Sequence, residues 1–160
     1  MIGKHDGAIR VRRIMVAVDG SQHSERALDY GIYMAKGLGA ELLIINAVDW
    51  EKLSMEIRAS SLSDAERQTE ELAAKSRKEA SAWLGGFVER AKAAGVAGVS
   101  SKVLVEPGKS HVRAVVENAA AAADLIVVGT RGHGKLKRLL VGSFANGLIS
   151  EASSPVLVVK

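Results

Sequence analysis

Short apolar runs alternate with helical patterns along the whole chain, and this alternation most limits the folds open to it. The runs are rich in Val, Ile and Leu, which is typical of strands buried on both faces of a parallel sheet. Between them, apolar residues such as Leu28, Ile32 and Ala35 recur at helical spacing. The alternation predicts an α/β domain with a mainly parallel sheet and right-handed crossovers. The predicted strands are residues 13–18, 42–48, 99–105, 125–128 and 156–159.

Capping residues mark the expected ends of the first two helices. Ser21 precedes the first helix, which we expect Gly37 and Gly39 to end. The sequence Ser63-Asp64-Ala65-Glu66 has the form of a capping box and predicts the start of a long helix that Gly95 ends.

The remaining connections are predicted from turn and helix formers. Residues 49–62 are polar and show no clear periodicity, so we expect a connection there. Pro107 and Gly108 predict a turn. A third helix is expected after Ser110 through the alanine-rich residues 119–123, and a fourth over residues 143–151.

Composition excludes several classes of protein. The 160 residues are the size of one domain, and the absence of cysteine excludes disulfides and thiol chemistry. No run approaches the roughly 20 apolar residues that a membrane span needs. Residues 1–12 lack an apolar core, so we expect no secretory signal and a cytoplasmic location. The net charge of +4 is mild, and with only six aromatic residues as stacking platforms nucleic acid is an unfavoured partner. The histidines, without close metal-ligand spacing, are His5, His23, His111 and His133.

The fourth predicted strand leads into a glycine-rich, basic segment with the spacing Gly129-x2-Gly132-x9-Gly142-Ser143. Glycine lets the backbone approach a ligand closely, and the unpaired N–H groups at a helix start favour an anion. The segment therefore predicts a phosphate cradle, although its spacing is neither that of the P-loop nor that of the dinucleotide fingerprint. The flanking basic residues are Arg131, Lys135, Lys137 and Arg138.

This motif, with the ending Ser154-Pro155-Val156-Leu157-Val158-Val159, resembles the universal stress protein family in its ATP-binding branch. The opening Arg13-Ile14-Met15-Val16-Ala17-Val18-Asp19-Gly20-Ser21 is similar to that family's start. The resemblance covers residues 12–160 and leaves residues 1–11 as a basic tail. It implies an adenine nucleotide alpha hydrolase-like, Rossmann-like fold: an open parallel five-stranded sheet in the order 3-2-1-4-5, with helices on both faces.

The resemblance also implies a stress-response protein that binds ATP with Mg²⁺ or Mn²⁺. Ligands of such sheets bind at the carboxyl ends of the strands where strand order reverses, here between strands 1 and 4. Asp19 would contact the ribose or a phosphate-bound metal, and the Ala47 backbone would meet the adenine edge. ATP-binding relatives often carry a second hydroxyl residue where this chain has Ala145. The implied nucleotide contacts are Ala17, Val18, Asp19, Ala47, Val128, Gly129, Thr130, Arg131, Gly132, His133, Gly134, Lys135, Gly142, Ser143, Phe144 and Ala145.

Each of these positions has a structural alternative. Asp19 before Gly20 is also a common turn residue, Ala47 suits ordinary strand packing, and Ser143 suits a helix N-cap. Three functions therefore stay open: a nucleotide-dependent conformational or dimer switch, a slow ATPase, and an interaction module whose glycine loop is structural. No catalytic residue is predicted, because no nucleophile stands beside a histidine base and no carboxylate cluster suits two metals.

The last strand predicts a homodimer. In the order that the resemblance implies, residues 156–159 form a sheet edge of four apolar, β-favouring side chains. An edge strand offers unpaired N–H and C=O groups to another chain, and pairing with the same strand of a second copy about a two-fold axis satisfies them. Protein partners other than a second copy are not predicted.

Overall fold

The computed structural model describes residues 9–60, 64–130 and 141–160 and shows one sheet of five parallel strands. The strand order is β3-β2-β1-β4-β5, as the family resemblance implied. Strand β1 therefore lies at the centre, between β2 and β4, and strand order reverses on its two sides. The strands are β1 (Arg13–Ala17), β2 (Glu41–Val48), β3 (Val99–Val105), β4 (Leu125–Gly129) and β5 (Val156–Val159).

The helices lie between these strands, and several of their ends are set by the predicted capping residues. Ser21 Oγ accepts a hydrogen bond from Ser24 N at 3.3 Å, and Ser110 Oγ accepts one from Arg113 N at 3.3 Å. Gly39 ends the first helix in the left-handed conformation, so that helix runs one residue past Gly37. The described helices are α1 (Gln22–Leu38), α2 (Trp50–Ser60), α3 (Ala65–Ala93), α4 (His111–Ala122) and α5 (Ser143–Glu151).

Two predictions about residues 49–66 are wrong. The connection predicted over residues 49–62 contains the 11-residue helix α2. Asp49 starts it, since its Oδ1 accepts from Lys52 N at 3.2 Å and its carbonyl from Leu53 N at 3.0 Å. The predicted capping box also fails: Asp64 takes the N-cap position without a side-chain hydrogen bond, and Ser63 lies outside the described residues.

The helices cover both faces of the sheet, as predicted. Alternate residues along β1 and β2 point to opposite faces, so one face carries Ile14 and Val16 and the other Met15 and Ala17. The first face packs against α1 and α3, and the second against α4 and α5. This arrangement brings the N-termini of α1, α2, α4 and α5 to the carboxyl edge of the sheet, because each is the next helix after a strand and Gly142 N, at the start of α5, donates to Thr130 O beside the end of β4.

Candidate functional site

The carboxyl edge of the sheet gathers the positive ends of four helix dipoles. The N–H groups of the first turn of each helix have no acceptor within that helix. An anion placed at this edge would therefore meet favourable N–H groups from more than one helix.

Asp19 follows β1 and forms the turn into α1. Its Oδ1 accepts a hydrogen bond from Ser21 N at 2.9 Å, and its own N–H donates to Ser24 Oγ at 3.3 Å. The turn passes through Gly20 at φ 79°. The structural role that the sequence allowed for Asp19 is thus present, and its contact with a nucleotide or metal stays a prediction.

Asn46 holds the ends of β1 and β2 together, although no sequence pattern marked it as a site residue. Its Nδ2 donates to Val18 O at 2.8 Å, while Val18 N donates to Ile45 O at 2.8 Å. Ala47, the next residue along β2, is half-buried. Asn46 therefore fixes the strand ends on which the predicted base contacts lie.

The motif helix α5 begins beside the end of β4. Gly142 is its N-cap and donates its N–H to Thr130 O at 2.6 Å, while Thr130 N donates to Val159 O at 2.7 Å. Ser143 is the exposed first residue of the helix, so its predicted role as N-cap is wrong. The first-turn N–H groups that have no acceptor within α5 are those of Ser143, Phe144 and Ala145.

Several predicted contacts face the core. The side chains of Ala17, Val18, Val128 and Ala145 are each less than 5% exposed, so they can offer a ligand only backbone atoms. A hydroxyl residue in place of Ala145 would enter the core of the second face.

Gly129, at the end of β4, has a packing reason to be glycine. A Cβ built there would lie 2.7 Å from the backbone carbonyl of His23 in α1. Its absence lets β4 and the start of α1 approach one another closely.

A cluster of three side chains that the sequence did not predict lies at the same edge. His111, the first residue of α4, stacks on Phe144 of α5, with ring centroids 4.6 Å apart and an interplanar angle of 14°. His111 Nδ1 is also 2.7 Å from Asp49 Oδ2. The cluster joins the segments that follow β2, β3 and β4.

Cationic side chains near the start of α4 are already paired. Lys109 Nζ lies 2.7 Å from Glu106 Oε2 and also contacts Glu117. The hydrogen bond from Lys109 lowers the pKa of Glu106, and the same lysine together with Arg113 lowers the pKa of Glu117. Lys109 is therefore paired with Glu106 and Glu117, and Arg113 is paired with Glu117.

Residues 10–160 match the family model described as the universal stress protein family. The chain belongs to the universal stress protein family. A relative from Staphylococcus aureus (strain USA300) that carries the universal stress protein name is 31% identical over 152 residues, which are 95% of this chain and 86% of the relative.

Solved universal stress proteins have the same fold. UspA from Lactobacillus plantarum matches with a TM-score of 0.80 at 19% identity and covers 96% of this chain and 100% of its own. A universal stress protein solved in complex with cAMP matches with a TM-score of 0.61 at 25% identity and covers 95% of this chain and 98% of its own.

The remaining predicted site residues of this universal stress protein domain, Arg131, Gly132, His133, Gly134 and Lys135, lie outside the described residues. Within residues 9–60, 64–130 and 141–160, no three His, Asp or Glu side chains come together as metal ligands. No helix in the described part of the chain is long and apolar enough to cross a membrane.

A separate cleft of about 370 Å³ lies beside α2. Apolar side chains of α3 and the end of β3, with Trp50, form most of its walls, and Glu70 and Arg77 also line it.

Proposed function

We propose that this universal stress protein binds ATP at the carboxyl edge of β1 and β4, and that the nucleotide sets its conformation or dimer geometry. The observation that carries the proposal is the start of α5, whose first-turn N–H groups lie next to Thr130 and Gly142 at the end of β4. The relative solved with cAMP supports an adenine nucleotide as the ligand class.

The phosphates would bind at the N-terminus of α5. Ser143 is exposed and contributes both an N–H group and a hydroxyl, while Phe144 and Ala145 contribute N–H groups alone. Hydrogen bonds from N–H groups to an ionised phosphate are stronger than neutral ones, and the helix dipole adds to them.

The sugar and a divalent cation would lie toward Asp19. A carboxylate beside phosphates repels them unless a ribose hydroxyl or a cation stands between. We expect Mg²⁺ or Mn²⁺ to bind mainly through the phosphates, because Asp19 Oδ1 already accepts the Ser21 N–H. We also expect ATP turnover well below about 1 s⁻¹, a rate that an efficient ATPase exceeds.

Thermal melts with and without Mg²⁺-ATP test the binding proposal. ATP at a concentration 100-fold above its Kd stabilises a protein by about 2.7 kcal/mol, which raises Tm by roughly 5–10 °C for a chain of this size. The variant Ser143→Glu places a carboxylate where the phosphates would bind, while a negative charge at a helix start does not harm the helix.

We expect Ser143→Glu to fold and to lose the ATP-dependent shift. The matched control Ser150→Glu adds the same charge at the exposed far end of α5 and should keep the shift. An unmodified chain without a shift at millimolar ATP would favour the interaction-module alternative. A phosphate-release assay on the same samples separates a binding protein from an ATPase.

We further propose a homodimer through β5. This strand is the edge of the sheet next to β4, and its residues from Val156 to Val158 are half-exposed in a single chain. Ile126 N donates to Pro155 O, and Thr130 N donates to Val159 O. Odd-numbered residues therefore bind β4, and Val156 and Val158 direct their N–H and C=O groups outward.

Because alternate residues of β5 face away from β4, the dimer can be tested without disturbing the sheet of a single chain. Proline at residue 158 removes an outward N–H without removing a hydrogen bond to β4, and edge positions tolerate proline. We expect light scattering to show a dimer for the unmodified chain and a monomer for Val158→Pro. A dimer that persists in Val158→Pro, or an unmodified chain that is monomeric at high micromolar concentration, contradicts the proposal.

A further inference from the structure

His111 stands at the meeting point of three segments of the carboxyl edge. On one side its Nδ1 is 2.7 Å from Asp49 Oδ2. Over its face it stacks nearly parallel on Phe144, the second residue of α5. The imidazole is thus held between the start of α2 and the start of α5.

Asp49 is itself fixed in orientation. Its Oδ1 accepts the Lys52 N–H in the first turn of α2. This hydrogen bond orients the carboxylate so that Oδ2 lies beside His111 Nδ1. His111 Nδ1 is buried and makes no hydrogen bond of good geometry within the described residues, so its 2.7 Å contact with Asp49 Oδ2 is the close polar contact at this edge of the ring.

A second contact packs the next turn of α5 against α4. A Cβ built on Gly147 would lie 2.8 Å from Val112 Cγ2, so the two helices approach closely one turn below the ring stack. The stack of His111 on Phe144 and the packing of Val112 on Gly147 therefore set both the distance and the direction of α5 at its N-terminus.

We propose that His111 is a positioning residue of the nucleotide site, which holds the N-terminus of α5 in its binding orientation by stacking on Phe144. The proposal rests on the proposed function. The N–H groups of Ser143, Phe144 and Ala145 must point at the phosphates together, and binding sites need such groups within about 0.5 Å of their best positions. His111 acts through Phe144 and needs no contact with the nucleotide.

Isothermal titration of Mg²⁺-ATP into the unmodified chain and five variants tests the proposal. We expect His111→Ala to weaken ATP binding about tenfold, as the loss of a well-formed aromatic pair does. His111→Phe keeps a flat ring over Phe144 and should bind within about threefold of the unmodified chain. The control Arg113→Ala changes an exposed side chain two residues along α4 and should bind as the unmodified chain does.

The double variant His111→Ala/Phe144→Ala shows whether the two rings act as a unit. If His111 works through Phe144, the double variant binds ATP no more weakly than Phe144→Ala alone. Additive losses would overturn the proposal, as would His111→Ala with unchanged affinity or His111→Phe as weak as His111→Ala.

Melts without nucleotide show which variants fold. Should His111→Ala fail to fold, the comparison of His111→Phe with the unmodified chain and the control decides, and a loss of more than about tenfold in that folded variant overturns the proposal. Failure of the unmodified chain to bind ATP overturns both this inference and the proposed function, whereas ATP binding that is indifferent to His111 overturns the inference alone.

Discussion

The start of β1 and the start of α5 lie at opposite ends of the sheet and differ in how their polar groups are bonded. At the amino end, Asp124 Oδ2 accepts the N–H groups of Arg12 at 2.8 Å and Arg13 at 3.0 Å. Asp124 N donates in return to Arg13 O at 2.9 Å. These bonds pair the start of β1 with the start of β4 and satisfy groups of both segments within the protein.

At the carboxyl end, side chains cap the starts of α1, α2 and α4, whereas the start of α5 has no side-chain cap. Gly142 donates its N–H to Thr130 O, but the N–H groups of Ser143, Phe144 and Ala145 have no acceptor within α5. The difference teaches that the amino end of this domain bonds these polar groups within the chain, whereas the start of α5 has donors that the proposed nucleotide site would use.

The largest expected effect is on the free energy of unfolding, when one glycine at each end of the sheet is replaced by alanine. Gly129→Ala places a Cβ 2.7 Å from the His23 carbonyl, and backbone cannot move aside cheaply. We expect a loss of about 3 kcal/mol in the free energy of unfolding. At the amino end, Gly98→Ala meets only the flexible Glu41 side chain at 3.0 Å and should change it by less than about 0.5 kcal/mol.

Urea unfolding of both variants measures the difference. Equal losses would show that the carboxyl end is not packed more tightly than the amino end. A Gly129→Ala variant as stable as the unmodified chain would contradict the assigned packing role of Gly129.

Most of the helices and strands could be predicted because their signals are local, whereas the strand order followed from the family resemblance. Ser21, Ser110 and Gly39 each act within one turn of the residues that they cap, and the apolar runs alternate with helical spacing. Helix α2 was missed because Ile57 is its only fully buried residue among those whose side chains are described, so its apolar periodicity is weak.

Much of the site could not be predicted, because its contacts join residues far apart in the chain. Asp49, His111 and Phe144 meet only after three strands have paired. The need for glycine at residue 129 likewise depends on where α1 packs, which no local pattern around β4 records. The glycine spacing marked the end of β4 and the start of α5, which lie side by side, but it could not show which neighbouring side chains are buried in the core. The contacts of these residues with a nucleotide stay a prediction.

A second prediction exchanges one carboxylate at each end for its neutral amide. Asp19→Asn keeps an oxygen that can accept the Ser21 N–H but loses the charge that would hold a ribose hydroxyl or a phosphate-bound cation. We expect Mg²⁺-ATP binding to weaken about tenfold. Asp124→Asn, at the opposite end of the sheet, should leave ATP affinity unchanged. Titration calorimetry measures the ATP affinity of both variants. Equal affinities would show that Asp19 does not contribute to ATP binding.

The smallest expected effect concerns the pH dependence of stability at the amino end. The N–H groups of Arg12 and Arg13 lower the pKa of Asp124 below its ordinary value. A carboxyl group with a lower pKa in the folded state stabilises the protein above its unfolded pKa of about 4, and this contribution is lost as the pH falls through the lower folded value. Glu106 and Glu117 also have lowered pKa values, so the total stability of the chain falls with acid for several reasons.

The comparison with Asp124→Asn, which has no carboxyl group to titrate, isolates the contribution of Asp124. We expect the unmodified chain to be more stable than Asp124→Asn by a constant amount above about pH 5, and this difference to shrink below about pH 4. Urea unfolding at several pH values measures it, and a difference as large at pH 3 as at pH 7 would show that the carboxylate charge of Asp124 does not hold the amino end together.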